Sequence, residues 1–179
     1  MVMRLQYSFI AACCLTVAAA AAASGQRPQQ RPRDPVETVK RYVALRFRGA
    51  PWADFAPLIT WEDEPGWDTY WLVNRYAVAT LENKGNTVMV PVTYHRLGLY
   101  SNDFIFKPAD QDVTLRYEVV QTRTGWVIKA PELDYPDLSV DFEIAALRSA
   151  AASQYETPER RKQSEAMAQR LSQLTRAKN

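Results

Sequence analysis

The sequence has few of the side chains from which disulfides, metal sites and nucleophilic dyads are built. It contains two cysteines, Cys13 and Cys14, and one histidine, His95, among 179 residues. Structural zinc sites take four cysteine or histidine ligands, and a serine or cysteine nucleophile needs a histidine or another base beside it. We therefore expect no metal, no cofactor and no disulfide in the part of the chain that follows the two cysteines.

Both cysteines lie in an N-terminal segment typical of a signal peptide. Arg4 supplies a positive charge, residues 9–23 are almost all apolar, and Ala21 to Ser24 provides the small residues that signal peptidase recognises. We predict a signal peptide over 1–23 and an exported protein, periplasmic or extracellular. Two alternatives stay open: a retained membrane anchor, and cleavage after the lipoprotein-like residues 10–12, which would leave the protein lipid-anchored through Cys13.

The chain also lacks an excess of charge of either sign. Without residues 1–23 it carries 21 basic and 20 acidic side chains. Proteins that bind nucleic acid through its phosphates usually show a clear basic excess, so we expect no nucleic-acid partner. The 156 residues that remain are enough for one domain with a sizeable core.

Helix signals stand at both ends of this remaining chain. Residues 24–33 are polar and proline-containing, which indicates a linker. Asp34 as a cap, Pro35 in the first turn and Gly49 as a stop predict a first helix that ends at Phe47. Two C-terminal helices are predicted from apolar residues at helical spacing. The first follows Asp137 and Ser139 as caps, and the second begins at Thr157-Pro158-Glu159.

Between these helices the apolar residues alternate with a period of two. The alternation predicts strands over 71–82, 87–97, 112–122 and 126–129, with an irregular stretch from Asn102 to Pro108. We expect an α+β fold: a long N-terminal helix packed on a curved antiparallel sheet, with a C-terminal helical extension. The expected domain covers 34–135 and the extension covers 136–179.

The order of helix, aromatic loop and long hairpins resembles a known superfamily. Residues 113–128 give the closest match, with alternating apolar residues, the turn Thr124-Gly125, and then Trp126-Val127-Ile128. This pattern, with the entering helix over 36–47, is similar to the cone-shaped α+β superfamily of nuclear transport factor 2 and ketosteroid isomerase. The resemblance covers about residues 34–131. It implies a half-open cone with a pocket, in a superfamily of isomerases, cyclases, dehydratases and non-catalytic binding or assembly modules.

The alternation also predicts which side chains face the interior of the cone. The predicted inward residues are Val88, Val90, Val92, Tyr94, Val113, Leu115, Tyr117 and Val119. They include two tyrosines and no acid, whereas isomerases of this shape combine a carboxylate base with a tyrosine and a protonated acid. The candidate ligand-binding residues are Trp71, Tyr76, Tyr94, Arg96 and Tyr117, with Arg96 continuing the same face toward the mouth.

These residues leave three functional hypotheses. The leading one is an exported, non-catalytic binding or accessory domain for an unknown small molecule or protein partner. The second is a small-molecule isomerase or dehydratase-type enzyme that uses Tyr94, Tyr117 and a carboxylate, Asp63 or Asp68, folded over the mouth. The third is a component of an envelope assembly, built through the basic tail over 159–178. A homodimer is a further alternative.

Two more features have a structural and a functional interpretation. His95 is expected to be a surface or packing side chain, with a general-base role as the alternative. The tryptophan-rich segment over 51–71 is expected to fill the open end of the cone. Its alternatives are contact with a sugar or a cation, and a protein interface.

Overall fold

The computed structural model of the chain describes residues 34–61, 68–84 and 87–176. Predictions that concern the leader, the linker, Asp63 and Trp67 lie outside these residues. The helices are α1 (Pro35–Phe47), α2 (Trp52–Phe55) followed by a 3₁₀ turn (Ala56–Leu58), α3 (Val140–Ala152) and α4 (Pro158–Arg176). The strands are β1 (Thr69–Val78), β2 (Glu82–Lys84), β3 (Thr87–Ser101), β4 (Ile105–Thr122), β5 (Gly125–Ala130) and β6 (Asp137–Ser139).

Helix α1 begins and ends where its sequence signals predict. The side chain of Asp34 accepts a hydrogen bond from the backbone N–H of Glu37 at 2.9 Å, and Pro35 occupies the first turn. Beyond the helix Gly49 takes a φ of +67°, which a residue with a side chain adopts only with strain. The ring of Phe142 lies where a Cβ at Gly49 would be, so the same glycine also permits close contact with α3.

The strands form one curled sheet in the order β5-β4-β3-β1-β6, with β2 paired to β3. The predicted α+β class is confirmed. The sheet is mixed, because β6 pairs parallel to β1 while the other named strand pairs are antiparallel. The local sequence does not predict β6. The strand is only three residues long, and it pairs with β1, which is distant in the sequence.

One face of the sheet, called the interior face below, packs on α1, α2 and the described tryptophans of the segment over 51–71. Val90, Val92, Tyr94, Tyr117 and Val119 are buried there, as the alternation predicts. The predicted inward residues Val88 and Leu115 are partly buried against the same cluster, and Val113 is half-buried. Three tryptophans of the tryptophan-rich segment also pack against this interior cluster: Trp52, Trp61 and Trp71.

The opposite face, called the outer face below, is covered at one end by α3 and α4. Its apolar cluster joins sheet and helix residues: Tyr70, Leu72, Leu97, Tyr100, Phe106, Leu138, Val140, Ile144, Leu147, Met167, Ala168 and Leu171. The apolar stripe of the tail, predicted at Met167, Leu171 and Leu174, is thus used within the chain: two of the three are buried here, and Leu174 packs against them.

Two irregularities reverse the alternation along β1 and β3. The pairing runs Tyr76 with Tyr94, then Val73 with Arg96, then Leu72 with Gly98, so one extra residue stands in each strand. Before the shift, even-numbered residues such as Tyr94 face the interior; after it, even-numbered residues such as Tyr100 face outward.

The irregular stretch predicted before β4 is wrong, because only residues 102–104 leave the strands. Pro108 is tolerated because β4 is an edge strand there; β5 pairs only from Glu118 onward.

Candidate functional site

The interior face of the sheet holds the two tyrosines that the alternation predicts there, Tyr94 and Tyr117. Tyr94 and Tyr117 come from neighbouring strands, and their hydroxyl oxygens lie 2.8 Å apart in a hydrogen bond. Both side chains are almost completely buried. Burial, more than any other cause, holds the pKa of each hydroxyl well above its ordinary value, so both phenols stay protonated.

Beside these tyrosines lies an ion pair that was not predicted from the sequence. Strand β6 brings Asp137 alongside Trp71 of β1, within reach of Arg96 on β3. The guanidinium donates two hydrogen bonds to the carboxylate, from Nε at 2.8 Å and from Nη2 at 3.0 Å. Its Cζ lies 4.7 Å from the centroid of the Trp71 ring. Burial raises the pKa of Asp137, while the bonds from Arg96 act in the opposite direction.

Side chains occupy nearly all the space around this pair. The guanidinium of Arg46, from α1, lies over the rings of Phe55 and Tyr42 at 5.0 and 5.9 Å. A residual cavity of about 10 Å³ is left. It is lined by Tyr42, Val43, Arg46, Tyr94, Tyr117, Leu133 and Asp137. Such a volume holds at most one water molecule, so a substrate has no room in this conformation.

Several expectations for the interior are corrected here. The face does contain an acid, Asp137, which was predicted as a helix cap; only Ser139 caps α3, by accepting a bond from Asp141 N–H. Arg96 does not reach an open mouth, because it is buried against Asp137. Tyr76 packs its ring 5.0 Å from that of Phe47 and 6.3 Å from that of Tyr94. The five predicted ligand-binding residues are therefore brought together, but as a packed cluster.

An open cleft lies on the outer face, between the ends of β1 and β3 and the α3–α4 hairpin. Its volume is about 220 Å³. Its lining residues are Tyr70, Tyr100, Asn102, Phe104, Glu143, Ala146, Leu147, Ala150, Glu156, Arg160 and Ser164. We call this the Glu143 cleft. It has the mixed character usual for ligand sites, with apolar walls and a few polar groups.

Glu143 is the buried charge of this cleft, with 6% of its surface exposed. The Tyr70 hydroxyl donates to its Oε2 at 2.6 Å, and the Tyr100 hydroxyl also hydrogen-bonds the carboxylate. Burial raises the pKa of Glu143, and the two hydrogen bonds counteract part of that shift. Burial and the adjacent carboxylate raise the pKa of both tyrosines, so they remain donors. Among the described residues, Glu143 has no ion-pair partner.

Charged and polar groups surround the opening of the cleft. Arg160 of α4 lies 3.5 Å from Glu156 in an ion pair, and its Cζ is 5.7 Å from the centroid of the Phe104 ring. Asn102 donates from its side chain to Asp68 at 3.4 Å. Asp68, which the enzyme hypothesis placed over the cone mouth, is thus exposed and bonded to a residue of the outer cleft.

A second hollow of about 240 Å³ lies around the β3–β4 turn, lined by Thr69, Leu99, Tyr100, Ser101, Asp103, Ile105 and Lys107. Its charged residues, Asp103 and Lys107, are exposed. The hollow therefore has no buried charge that would orient a ligand, in contrast to the Glu143 cleft.

His95 lies apart from both sites, on the outer face beyond the helices. Its Nδ1 is 2.7 Å from Asp112 and its Nε2 is 3.2 Å from Asp110, and both carboxylates are more than half exposed. Within the described ranges, no group of three or more histidine, cysteine, aspartate or glutamate side chains is arranged to hold a metal ion.

The residues that define the outer cleft were not predicted from the sequence, although one signal was available. Glu143 stands on the same helical face as the apolar residues Val140, Ile144 and Leu147, where an acid is unusual. On the interior face, Arg46 gives the same signal: it is a charged residue on the apolar side of α1, four residues after the buried Tyr42. Tyr70 and Tyr100 carry no such signal, because their orientation depends on the reversed alternation described above.

No protein-family model, no curated protein and no solved structure matches the chain. Helices long and apolar enough to cross a membrane are absent from the part of the chain that the structure describes. A function for the protein therefore has to be inferred from the geometry of the two sites.

Proposed function

We propose that this protein is a non-catalytic ligand-binding domain whose binding site is the Glu143 cleft. The observation that supports this most is the difference in cavity volume between the interior face and the outer face. The predicted pocket inside the cone keeps about 10 Å³, whereas the cleft on the outer face offers about 220 Å³ beside a buried carboxylate. A small molecule fits the second and not the first.

We also propose a superfamily for the domain and a location for the protein. The long helix α1 over the curved sheet is the arrangement expected for the superfamily of nuclear transport factor 2 and ketosteroid isomerase, and α3 and α4 form a C-terminal extension outside that resemblance. Residues 1–23 direct the protein to the periplasm or the medium, and Cys13 is the attachment point if the leader is instead of the lipoprotein type. The partner is a small molecule.

The experiment that tests this function is a blocked cleft with a matched control. Ala146 lines the cleft, and its neighbour Ala145 is exposed on the same helix without lining it. A diverse fragment set is screened by ligand-observed NMR against the wild type, Ala146→Trp and Ala145→Trp. We expect binders that Ala146→Trp loses and Ala145→Trp keeps. No binders at all, or binders that Ala146→Trp retains, would show that the cleft is not the binding site.

A second candidate function is favoured by Asp137, whose pKa is raised by burial next to the Tyr94–Tyr117 hydrogen bond. A carboxylate base near phenol donors is the arrangement used to abstract a proton beside a carbonyl. Because the cavity is so small, this enzyme would require an opening of the interior. Small ketones incubated with the protein in D₂O would then gain deuterium beside the carbonyl, and Asp137→Asn would abolish the gain. Absence of deuterium incorporation by the wild type excludes this reaction for the ketones used.

A further inference from the structure

The charges that line the Glu143 cleft are unequally paired. Two carboxylates, Glu143 and Glu156, and one guanidinium, Arg160, belong to the lining. The guanidinium is already engaged, with Glu156 at 3.5 Å and the ring of Phe104 below it. Glu143 is deeper and has only hydroxyl partners. The lining therefore carries one negative charge in excess, located at its most buried group.

The hydrogen-bonding groups of the cleft are unequally used as well. Tyr70 and Tyr100 both commit their single O–H to Glu143, and Asn102 commits an N–H to Asp68. A phenol oxygen and a carboxylate keep further lone pairs when each has one such bond. The deep end of the cleft is consequently rich in acceptors, so a ligand that satisfies it must bring donors.

Aromatic rings stand beside these acceptors. The ring centroids of Tyr70 and Tyr100 lie 5.4 Å apart in a tilted arrangement, and Phe104 also lines the cleft. The faces of aromatic rings attract cations, and the attraction is stronger where water is excluded. The remaining wall, formed by Ala146, Leu147 and Ala150, is apolar.

We infer that the ligand of the Glu143 cleft is a small organic cation, a primary ammonium on a short apolar or aromatic body. The ammonium donates to the Glu143 carboxylate and to the oxygens of Tyr70 and Tyr100, while the body lies against Leu147 and the adjacent alanines. The cleft volume is about 220 Å³, which suits a ligand at the small end of the range for binding sites. A benzylammonium ion fits that volume. This inference depends on the proposed function, since it names the ligand class for the same cleft.

The test compares three probes of similar shape and different charge. Benzylammonium, benzyl alcohol and benzoate are titrated into the wild-type protein at neutral pH, with binding followed by protein NMR or calorimetry. We expect benzylammonium to bind at least about tenfold more tightly than the alcohol, and benzoate not to bind. In Glu143→Gln the preference for the amine should vanish while the affinity for the alcohol changes less than about threefold. The exposed Glu165→Gln on α4 serves as the charge-matched control and should behave like the wild type.

These outcomes distinguish a wrong ligand class from a wrong binding site. If benzoate or the alcohol binds the wild type as tightly as the amine, the cleft does not select cations. If benzylammonium does not bind at about 10 mM, the inference fails too. In either case the Ala146→Trp screen still decides whether the cleft is a ligand site. The three-probe comparison on the wild type needs no variant, so it tests the inference even if Glu143→Gln fails to fold.

Discussion

Among the described residues, each face of the sheet buries one carboxylate next to tyrosine hydroxyls, and the two carboxylates differ in how their charge is compensated. On the interior face, Asp137 has the guanidinium of Arg96 at 2.8 and 3.0 Å, and little space remains. On the outer face, Glu143 has two tyrosine donors, no cation among the described residues, and an open cleft. A permanent counter-charge satisfies the first carboxylate within the protein. Its absence leaves the second able to accept a cation from solution.

The largest effect is expected from removing the counter-charge on the interior face. Arg96→Met leaves Asp137 buried without its partner, which should cost about 3–5 kcal/mol of unfolding free energy. Urea denaturation at neutral pH measures it. The double variant Arg96→Met/Asp137→Leu should recover most of the loss, because both charges are then gone.

A surface pair provides the control for that experiment. Arg116 and Glu82 form an ion pair at 3.3 Å with side chains that are 49% and 40% exposed, so Arg116→Met should cost less than about 1 kcal/mol. Equal losses for Arg96→Met and Arg116→Met would mean that the Arg96–Asp137 pair does not support the interior.

An intermediate effect is expected from deleting tyrosine hydroxyls on the two faces. Tyr94→Phe leaves the Tyr117 hydroxyl buried without its partner, at a cost of about 1–3 kcal/mol. Tyr70→Phe should cost less than about 1 kcal/mol, because Glu143 keeps Tyr100 and the cleft admits water. The two variants are compared by thermal unfolding under identical conditions, and a larger loss for Tyr70→Phe would reverse the assignment of closed and open sites.

The smallest effect is a pH dependence specific to Glu143. Because the folded-state pKa of Glu143 is raised, this carboxyl binds more protons in the folded protein than in the unfolded chain between about pH 4 and that raised pKa. The wild type should therefore lose stability as the pH rises from about 4 toward that raised pKa, and the loss is constant above it. Glu143→Gln should lack this contribution.

Urea denaturation across this pH range, on both proteins, gives the difference curve. Asp137 contributes equally to both and cancels. The exposed Glu165→Gln should follow the wild type. A wild-type curve that gains stability relative to Glu143→Gln as the pH rises would show that the Glu143 carboxylate is stabilised, not penalised, by its site.

The sequence predicted the interior face better than the outer one for a physical reason. Tyr94 and Tyr117 lie in long strands where strict alternation fixes the face of every residue, and both were placed correctly. The cap at Asp34 and the stop at Gly49 were equally local and equally reliable.

The remaining site residues depend on contacts between distant parts of the chain. Asp137 meets Arg96 only because a three-residue strand adds to β1, and nothing near Asp137 in the sequence encodes that pairing. Glu143 was available as an acid on an apolar helical face, but its partners were not, since two extra residues had turned Tyr70 and Tyr100 outward.

Those two extra residues, Asn74 in β1 and Leu97 in β3, constrain how the protein can change length. If either residue were deleted, the side chains on one side of the deletion in that strand would move to the opposite face of the sheet. Tyr70 or Tyr100 would then turn away from Glu143 toward the interior. Substitutions nearby alter one contact, whereas a deletion alters a whole set at once. In related chains we therefore expect residues 70–100 to vary in side-chain identity well before they vary in number.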